Sequence, residues 1–113
     1  MSTHRPARIP EPPYCAVVFT ALRTEGDHGY SEMNERMSEL VEGQPGFLGV
    51  DSTRGADGFG ITVAYFDTEE NVLAWRRNTE HTEARNMGRK AWYEAYSVHV
   101  ATVHRAYRWD RDE

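Results

Sequence analysis

Two strand-like runs, Phe47 to Arg54 and Phe59 to Phe66, are separated by only four residues, Gly55-Ala56-Asp57-Gly58. A gap that short leaves no room for a crossover, and its Asp-Gly pair supplies the backbone freedom of a tight turn. The two runs must therefore lie side by side and antiparallel, and every other element has to be arranged round that hairpin.

Upstream, Tyr14 to Thr24 (YCAVVFTALRT) is rich in β-branched and aromatic residues and reads as a strand buried on both faces. After the break at Gly26 to Gly29, Tyr30, Met33, Met37, Leu40 and Val41 recur at helical spacing between Glu32, Glu35, Glu39 and Glu42. This amphipathic helix stops at Gly43-Gln44-Pro45-Gly46, because Gly suits the position past a helix end and Pro45 cannot extend it. Downstream of the hairpin, Asp67 and Glu70 have the spacing of a capping box and open a second helix that runs to about Asn78.

Past Asn78 and Thr79, Ala84, Gly88, Ala91 and Ala95 draw a stripe of small residues down a further helix, allowing close approach to a sheet. Tyr96 to Trp109 alternates as a long last strand, longer than a small sheet needs and able to reach a partner. The order β-α-β-β-α(α)-β predicts an α+β fold, the ferredoxin-like split βαβ arrangement with an antiparallel sheet. Helices would cover one face. The other, partly apolar, would stay open, so a homodimer through the sheet face is expected.

The 113 residues make one domain, expected over 14–109 between a Pro-rich N-terminal arm (1–13) and a charged C-terminal tail (110–113). No apolar run approaches the length of a membrane helix and the first residues lack a secretory signal, so a cytoplasmic protein with no membrane partner is expected. The single cysteine, Cys15, excludes an intramolecular disulfide and a Cys-based zinc site, and reads as a small buried hydrophobe. His99 and His104 are five apart on the last strand, point to opposite faces and do not share a metal, so no metal site is expected.

With 13 basic and 18 acidic side chains the formal net charge is −5, the wrong sign for a nucleic-acid binder. The charge is uneven: Glu25 to Asp51 holds seven acids and one base, Arg36, whereas Arg76 to Lys90 holds five bases and two acids. The basic segment reads either as a solvated helix face or as the rim of a pocket for an anionic or phenolic ligand. Nucleotide-binding and hydrolase motifs are absent, and no cofactor is expected.

Chemistry concentrates between Asn71 and Trp92. At about 100° per residue, Asn71 and Trp75 project within about 40° of each other on the second helix. His81, Arg85 and Trp92 share an edge of the next one, beside the small-residue stripe. Indole offers a flat wall and one donor, an amide both donor and acceptor, and imidazole a base near neutral pH. That set suits a flat, ionisable aromatic molecule. The competing reading is packing, with Trp75 and Trp92 filling the core and Arg85 paired to Glu83 or Asp67 at the surface.

Five segments together carry a resemblance over nearly all of Tyr14 to Trp109: YCAVVFTALRT, QPGFLGV (Gln44 to Val50), GITVAYF (Gly60 to Phe66), AWRRNTEH (Ala74 to His81) and GRKAWYEAY (Gly88 to Tyr96). The chain resembles the antibiotic biosynthesis monooxygenase-like (ABM) proteins of the dimeric α/β barrel superfamily. The resemblance implies a ferredoxin-like subunit that pairs with its twin to form a barrel. Active members use O2 without flavin, metal or added cofactor to turn anthrone-like phenols into quinones, while a related branch binds and degrades heme.

In the quinone-forming branch an Asn precedes a pocket Trp by four residues and a Tyr follows that Trp by six; Asn71 and Trp75 match, and His81 stands in place of the Tyr. The heme-degrading branch puts its axial His ten residues after the Trp, where this chain has Arg85. The leading expectation is thus a cofactor-independent monooxygenase for an electron-rich phenolic or polycyclic aromatic substrate. In it His81, Trp75 and Asn71 would be catalytic, Arg85 would stabilise the anion, and Trp92, Tyr65 and Phe19 would form apolar walls. The alternative is a non-enzymatic dimeric barrel that binds a small aromatic molecule, and heme binding ranks below both. The discriminating feature is whether His81 turns inward.

Overall fold

The computed structural model describes residues 4–111. Its elements are β1 (Tyr14–Arg23), α1 (Tyr30–Glu42), β2 (Phe47–Arg54), β3 (Phe59–Phe66), α2 (Glu69–Arg77), α3 (Thr79–Met87), a π-helical turn (Gly88–Trp92) and β4 (Tyr93–Val103). The four strands form one sheet in the order β2-β3-β1-β4, antiparallel throughout, which is the split βαβ arrangement read from the sequence. The hairpin closes as its residues predict: Gly58 adopts a positive φ of 91°, and the Asp57 carboxylate accepts the Phe59 N–H at 3.0 Å.

Alternation along paired strands sorts the side chains into two faces. Cys15, Val17 and Phe19 of β1 lie beside Phe66, Ala64 and Thr62 of β3 on the face the helices cover. The core sits at one corner of this face. Phe66 is fully buried (0% exposed), with Cys15 and Val72 buried beside it and Val17, Val41, Phe47, Ala64 and Trp75 packed round them. Phe47 and Phe66 meet edge to face, ring centroids 5.7 Å apart. β1 is less buried than expected: Tyr14 to Ala16 and Ala21 are buried, but Val17 to Thr20 are only half-buried, because Val17 and Phe19 line an open cavity and Val18 and Thr20 face the side of the sheet that no helix covers.

Three local expectations are corrected. The α2 cap is Thr68, whose hydroxyl accepts the Asn71 N–H at 3.2 Å, and not Asp67. The helix carrying the small-residue stripe ends at Met87. Ala84 and Gly88 are buried, but Ala91 falls in the π-helical turn and Ala95 in β4, because β1 recruits the chain earlier. Arg23 pairs with Tyr93, and both the Thr24 N–H (2.9 Å) and the Arg23 Nε (3.1 Å) donate to the Trp92 carbonyl.

The last strand, expected over Tyr96 to Trp109, starts three residues sooner and stops at Val103. Val103 pairs with Tyr14, and upstream of Tyr14 stand Pro12 and Pro13, which have no N–H to offer, so β4 runs out of partner. Beyond it the chain meets the N-terminal arm instead: Arg108 donates to the carbonyls of Pro6 (2.8 Å) and Ala7 (3.3 Å), and the Ala7 N–H donates to Asp51 (2.9 Å). Part of the charged tail, 112–113, and residues 1–3 of the arm lie outside the described residues. No helix among the described residues is long and apolar enough to cross a membrane.

Candidate active site

Beside the core, the same sheet face and α1, α2 and α3 enclose a cavity of about 460 Å³. Its apolar walls include Val17, Phe19, Ala64, Val98 and Val100 from the strands and Met33 and Met37 from α1. The volume suits a flat molecule of a few fused rings.

At one end sits a pair made by the break between α2 and α3. Asn78, with ψ at 130°, ends α2 and caps α3, its side-chain oxygen accepting the His81 N–H at 3.1 Å. The turn folds His81 back over Trp75: their rings stack with centroids 4.3 Å apart and planes 9° from parallel. His81 Nδ1 lies 2.9 Å from the Trp75 carbonyl oxygen. A carbonyl can only accept, so Nδ1 carries the proton and the neutral ring keeps its lone pair on Nε2. Burial pushes the His81 pKa below its ordinary value; the Trp75 hydrogen bond opposes that shift, and the nearby charges of Arg85 and Arg76 add to it. His81 lines the cavity, so its imidazole turns inward.

The same stretch contributes cations. Arg85 lines the cavity and donates one guanidinium N–H to the Arg76 carbonyl at 3.2 Å, while its Nε is buried without a partner. It forms no ion pair with Glu83 or Asp67. Arg76, Arg89 and Arg54 complete the basic lining.

The opposite end is an aromatic cluster. Trp92 is buried and spends its indole N–H on the His28 carbonyl at 2.9 Å, so it is a wall and not a free donor. Tyr30 meets Trp92 and Tyr93 edge to face, and Phe19 packs on Tyr93 and Tyr96 at 5.5 and 5.4 Å. Burial, with Tyr30 hydrogen-bonded beside it, pushes the Tyr93 phenol far above its ordinary pKa, so it stays protonated. Strand pairing shifts register near Arg23, with Tyr93 opposite Arg23 and Ala95 opposite Leu22, which brings Tyr93 and Tyr96 onto one face although they are three apart.

The structure thus brings together Trp75, His81, Arg85, Trp92 and Phe19 but not the other two expected residues. Asn71 is drawn away: its amide donates to Asp67 at 2.7 Å and packs over Gly46. Helical side chains lean toward the N-terminus, so Asn71 covers the turn before it and not the cavity beside Trp75. Tyr65 precedes the buried Phe66 on β3 and so points to the opposite sheet face, where it meets Tyr14 edge to face at 5.7 Å. Tyr30, Tyr93 and Tyr96 went unnoticed as cavity residues. The helical stripe beginning at Tyr30 was a sign for the first, but the register shift that places the other two has no sequence signature.

No family model matches the chain. The uncharacterized protein YqjZ of Bacillus subtilis (strain 168) is 52% identical over 99 residues, covering 88% of this chain and 87% of that protein. The chain belongs to the YqjZ family. Among solved structures, SnoaB, a cofactor-independent oxygenase from Streptomyces nogalater, superposes with a TM-score of 0.68 at 12% identity over 90% of this chain and 100% of its own. A putative antibiotic biosynthesis monooxygenase from Nitrosomonas europaea does so with a TM-score of 0.67 at 13% identity, over 85% and 94%. The resemblance drawn from the sequence therefore holds at the level of fold: this member of the YqjZ family has the ABM-like fold.

Proposed function

We propose that the chain is a cofactor-independent monooxygenase that uses O2 to oxidise an electron-rich phenolic or polycyclic aromatic substrate. The observation that carries the reading is His81: a neutral imidazole, depressed in pKa, stacked on Trp75 and facing a cavity of about 460 Å³. His81 Nε2 takes a proton from the bound substrate, leaving an electron-rich carbanion or phenolate. The anion passes one electron to O2, and the radical pair recombines to a peroxide. Loss of water then leaves a carbonyl, so that one oxygen atom stays in the product and the other departs as water.

No acceptor among the described residues takes the Trp75 indole N–H, which leaves it for the substrate oxygen or the peroxide. Arg85 stabilises the anion, and Trp92 and Phe19 hold the ring system flat. Asn71 has no part in this scheme. The fold shared with a cofactor-independent oxygenase supports the reading.

Oxygen consumption by the purified protein against a panel of anthrones, hydroquinones and catechols, corrected for spontaneous oxidation, tests it. Uptake should fall at least about 100-fold in His81→Ala and clearly in Trp75→Phe. Full turnover in both variants would end the assignment, and silence across the panel with ligands still raising the melting temperature would make the protein a binding module.

We further propose that the chain works as a homodimer through the open sheet face. That face exposes Leu22, Phe59 (49%) and Ile61 (41%). Wild-type protein should run at twice the mass of the chain in light scattering and Ile61→Asp at the mass of one; equal masses would exclude the face.

A further inference from the structure

The cavity and the chain disagree in charge. The chain carries 18 acidic and 13 basic side chains, yet the cavity lining includes four arginines, Arg54, Arg76, Arg85 and Arg89, and no aspartate or glutamate. Among the described residues none of the four forms an ion pair, whereas Arg5, Arg36 and Arg108 do. Three of the cavity arginines have hydrogen-bond partners, all of them neutral: Arg54 donates to the carbonyls of Ala21 and Gly58, Arg89 to the Tyr96 hydroxyl at 2.7 Å, and Arg85 to the Arg76 carbonyl. Neutral acceptors satisfy N–H groups without cancelling charge.

Arg85 alone of the four has a buried donor without a partner. Its Nε is buried with no partner, and a desolvated donor on a charged group is costly until something accepts from it. One Nη donates to the Arg76 carbonyl, and the other has no acceptor among the described residues and can meet a carboxylate. A phenolate created during turnover would supply one transient charge, whereas four uncompensated guanidiniums line the site before any reaction begins.

We infer that the natural substrate carries a fixed negative charge of its own, a carboxylate on a flat aromatic skeleton, and that the Arg85 guanidinium receives this carboxylate. Arg76 and Arg89 add field and not geometry. The aromatic body lies between Trp75 and the Phe19, Tyr93 and Tyr96 cluster. The inference rests on the proposed function for the role of the site, but the binding preference it predicts needs no turnover.

The test uses two ligands that cannot be oxidised further and differ only in charge, anthraquinone-2-carboxylate and anthraquinone-2-carboxamide, titrated into the full chain by calorimetry. The carboxylate should bind at least about tenfold tighter, and the advantage should shrink as salt rises from about 0.05 to 0.5 M. Arg85→Gln should remove the preference and Arg85→Lys should restore part of it. Should Arg85→Gln fail to fold, Arg76→Gln should narrow the preference and the wild-type comparison still decides.

Equal or tighter binding of the carboxamide overturns the inference, as does a preference that survives in Arg85→Gln or the binding of neither ligand. A clear carboxylate preference with no oxygen uptake on any substrate would leave the inference standing and remove the oxygenase. Oxygen uptake with a preference for neutral compounds would do the reverse.

Discussion

The corner where β2, β3 and α2 meet and the cavity beneath α1 and α3 share one sheet face and are built on opposite principles. In the corner Phe66, Cys15 and Val72 are buried among apolar neighbours, and no polar side chain among the described residues is buried with them. In the cavity half, α1 contributes no buried residue and a half-buried imidazole and guanidinium face open space. There α1 is tied to α3 by a bidentate pair, Arg36 to Glu80 at 2.7 and 2.8 Å, in which each partner holds the other's charged form. Dense packing at one end of the sheet lets the other end keep unfilled volume and unpaired charge, the arrangement a site needs and a core avoids. Stability and chemistry should therefore separate by position.

The sharpest attempt to break that separation is Phe66→Ala. Phe66 has no exposed surface, and truncating such a ring costs about 3–5 kcal/mol, a large share of the stability of a domain this small. Urea denaturation should show the loss, and at a temperature where the variant stays folded its turnover per folded molecule should fall far less than that of His81→Ala, because Phe66 forms only part of the cavity floor. If Phe66→Ala instead left stability untouched and lowered turnover, the corner would not be the anchor described.

His81 offers a smaller and more specific test, because its shift has a sign. Its folded pKa lies below the unfolded value of about 6.5, so between the two the unfolded chain binds a proton that the folded chain refuses. The stability this group confers is complete above about pH 6.5 and is lost as pH falls toward the folded pKa. Wild-type stability should thus slope downward below about pH 6.5 more steeply than that of His81→Phe, which keeps the stack on Trp75 but cannot titrate. Oxygen uptake should hold below pH 6.5 and fall only where the folded imidazole protonates. An activity midpoint at or above about 6.5 would mean that the base is not this histidine in this environment.

How much of this was legible in the sequence follows from how local each cause is. The hairpin was, since Asp57-Gly58 sets its own turn; so was α1, whose apolar stripe faces the sheet without help from distant residues. The ends of β4 were not, because they depend on where β1 begins and on a register shift opposite Arg23, and neither is visible until the strands are paired. Within the site, Trp75, His81 and Arg85 were legible as a group, but the face-to-face stack depends on the break at Asn78. Tyr65 is a different matter. Phe66 and Tyr65 are adjacent on a strand and only one of them can face the helices, but the strand period alone does not say which; pairing and packing give that side to Phe66.

Asn71 is where the two regions meet, and the smallest predicted effect is the most discriminating. It stands one turn before Trp75, so helical spacing alone allots it to the cavity; its actual bonds allot it to the corner. Its amide donates to Asp67 at 2.7 Å, while the Asp67 N–H donates to the Gly46 carbonyl at 2.8 Å, tying the start of α2 to the entry of β2. Gly46, at a φ of 77°, leaves space beneath the pair that any Cβ would fill. Removing the amide in Asn71→Ala deletes one part-exposed hydrogen bond and should cost about 1 kcal/mol of unfolding free energy. Oxygen uptake should stay within about twofold of wild type, since nothing that faces the cavity has changed. A drop comparable to that of His81→Ala, with stability unaltered, would show that Asn71 swings to the substrate when one is bound and would move the boundary between corner and cavity one helical turn toward β2.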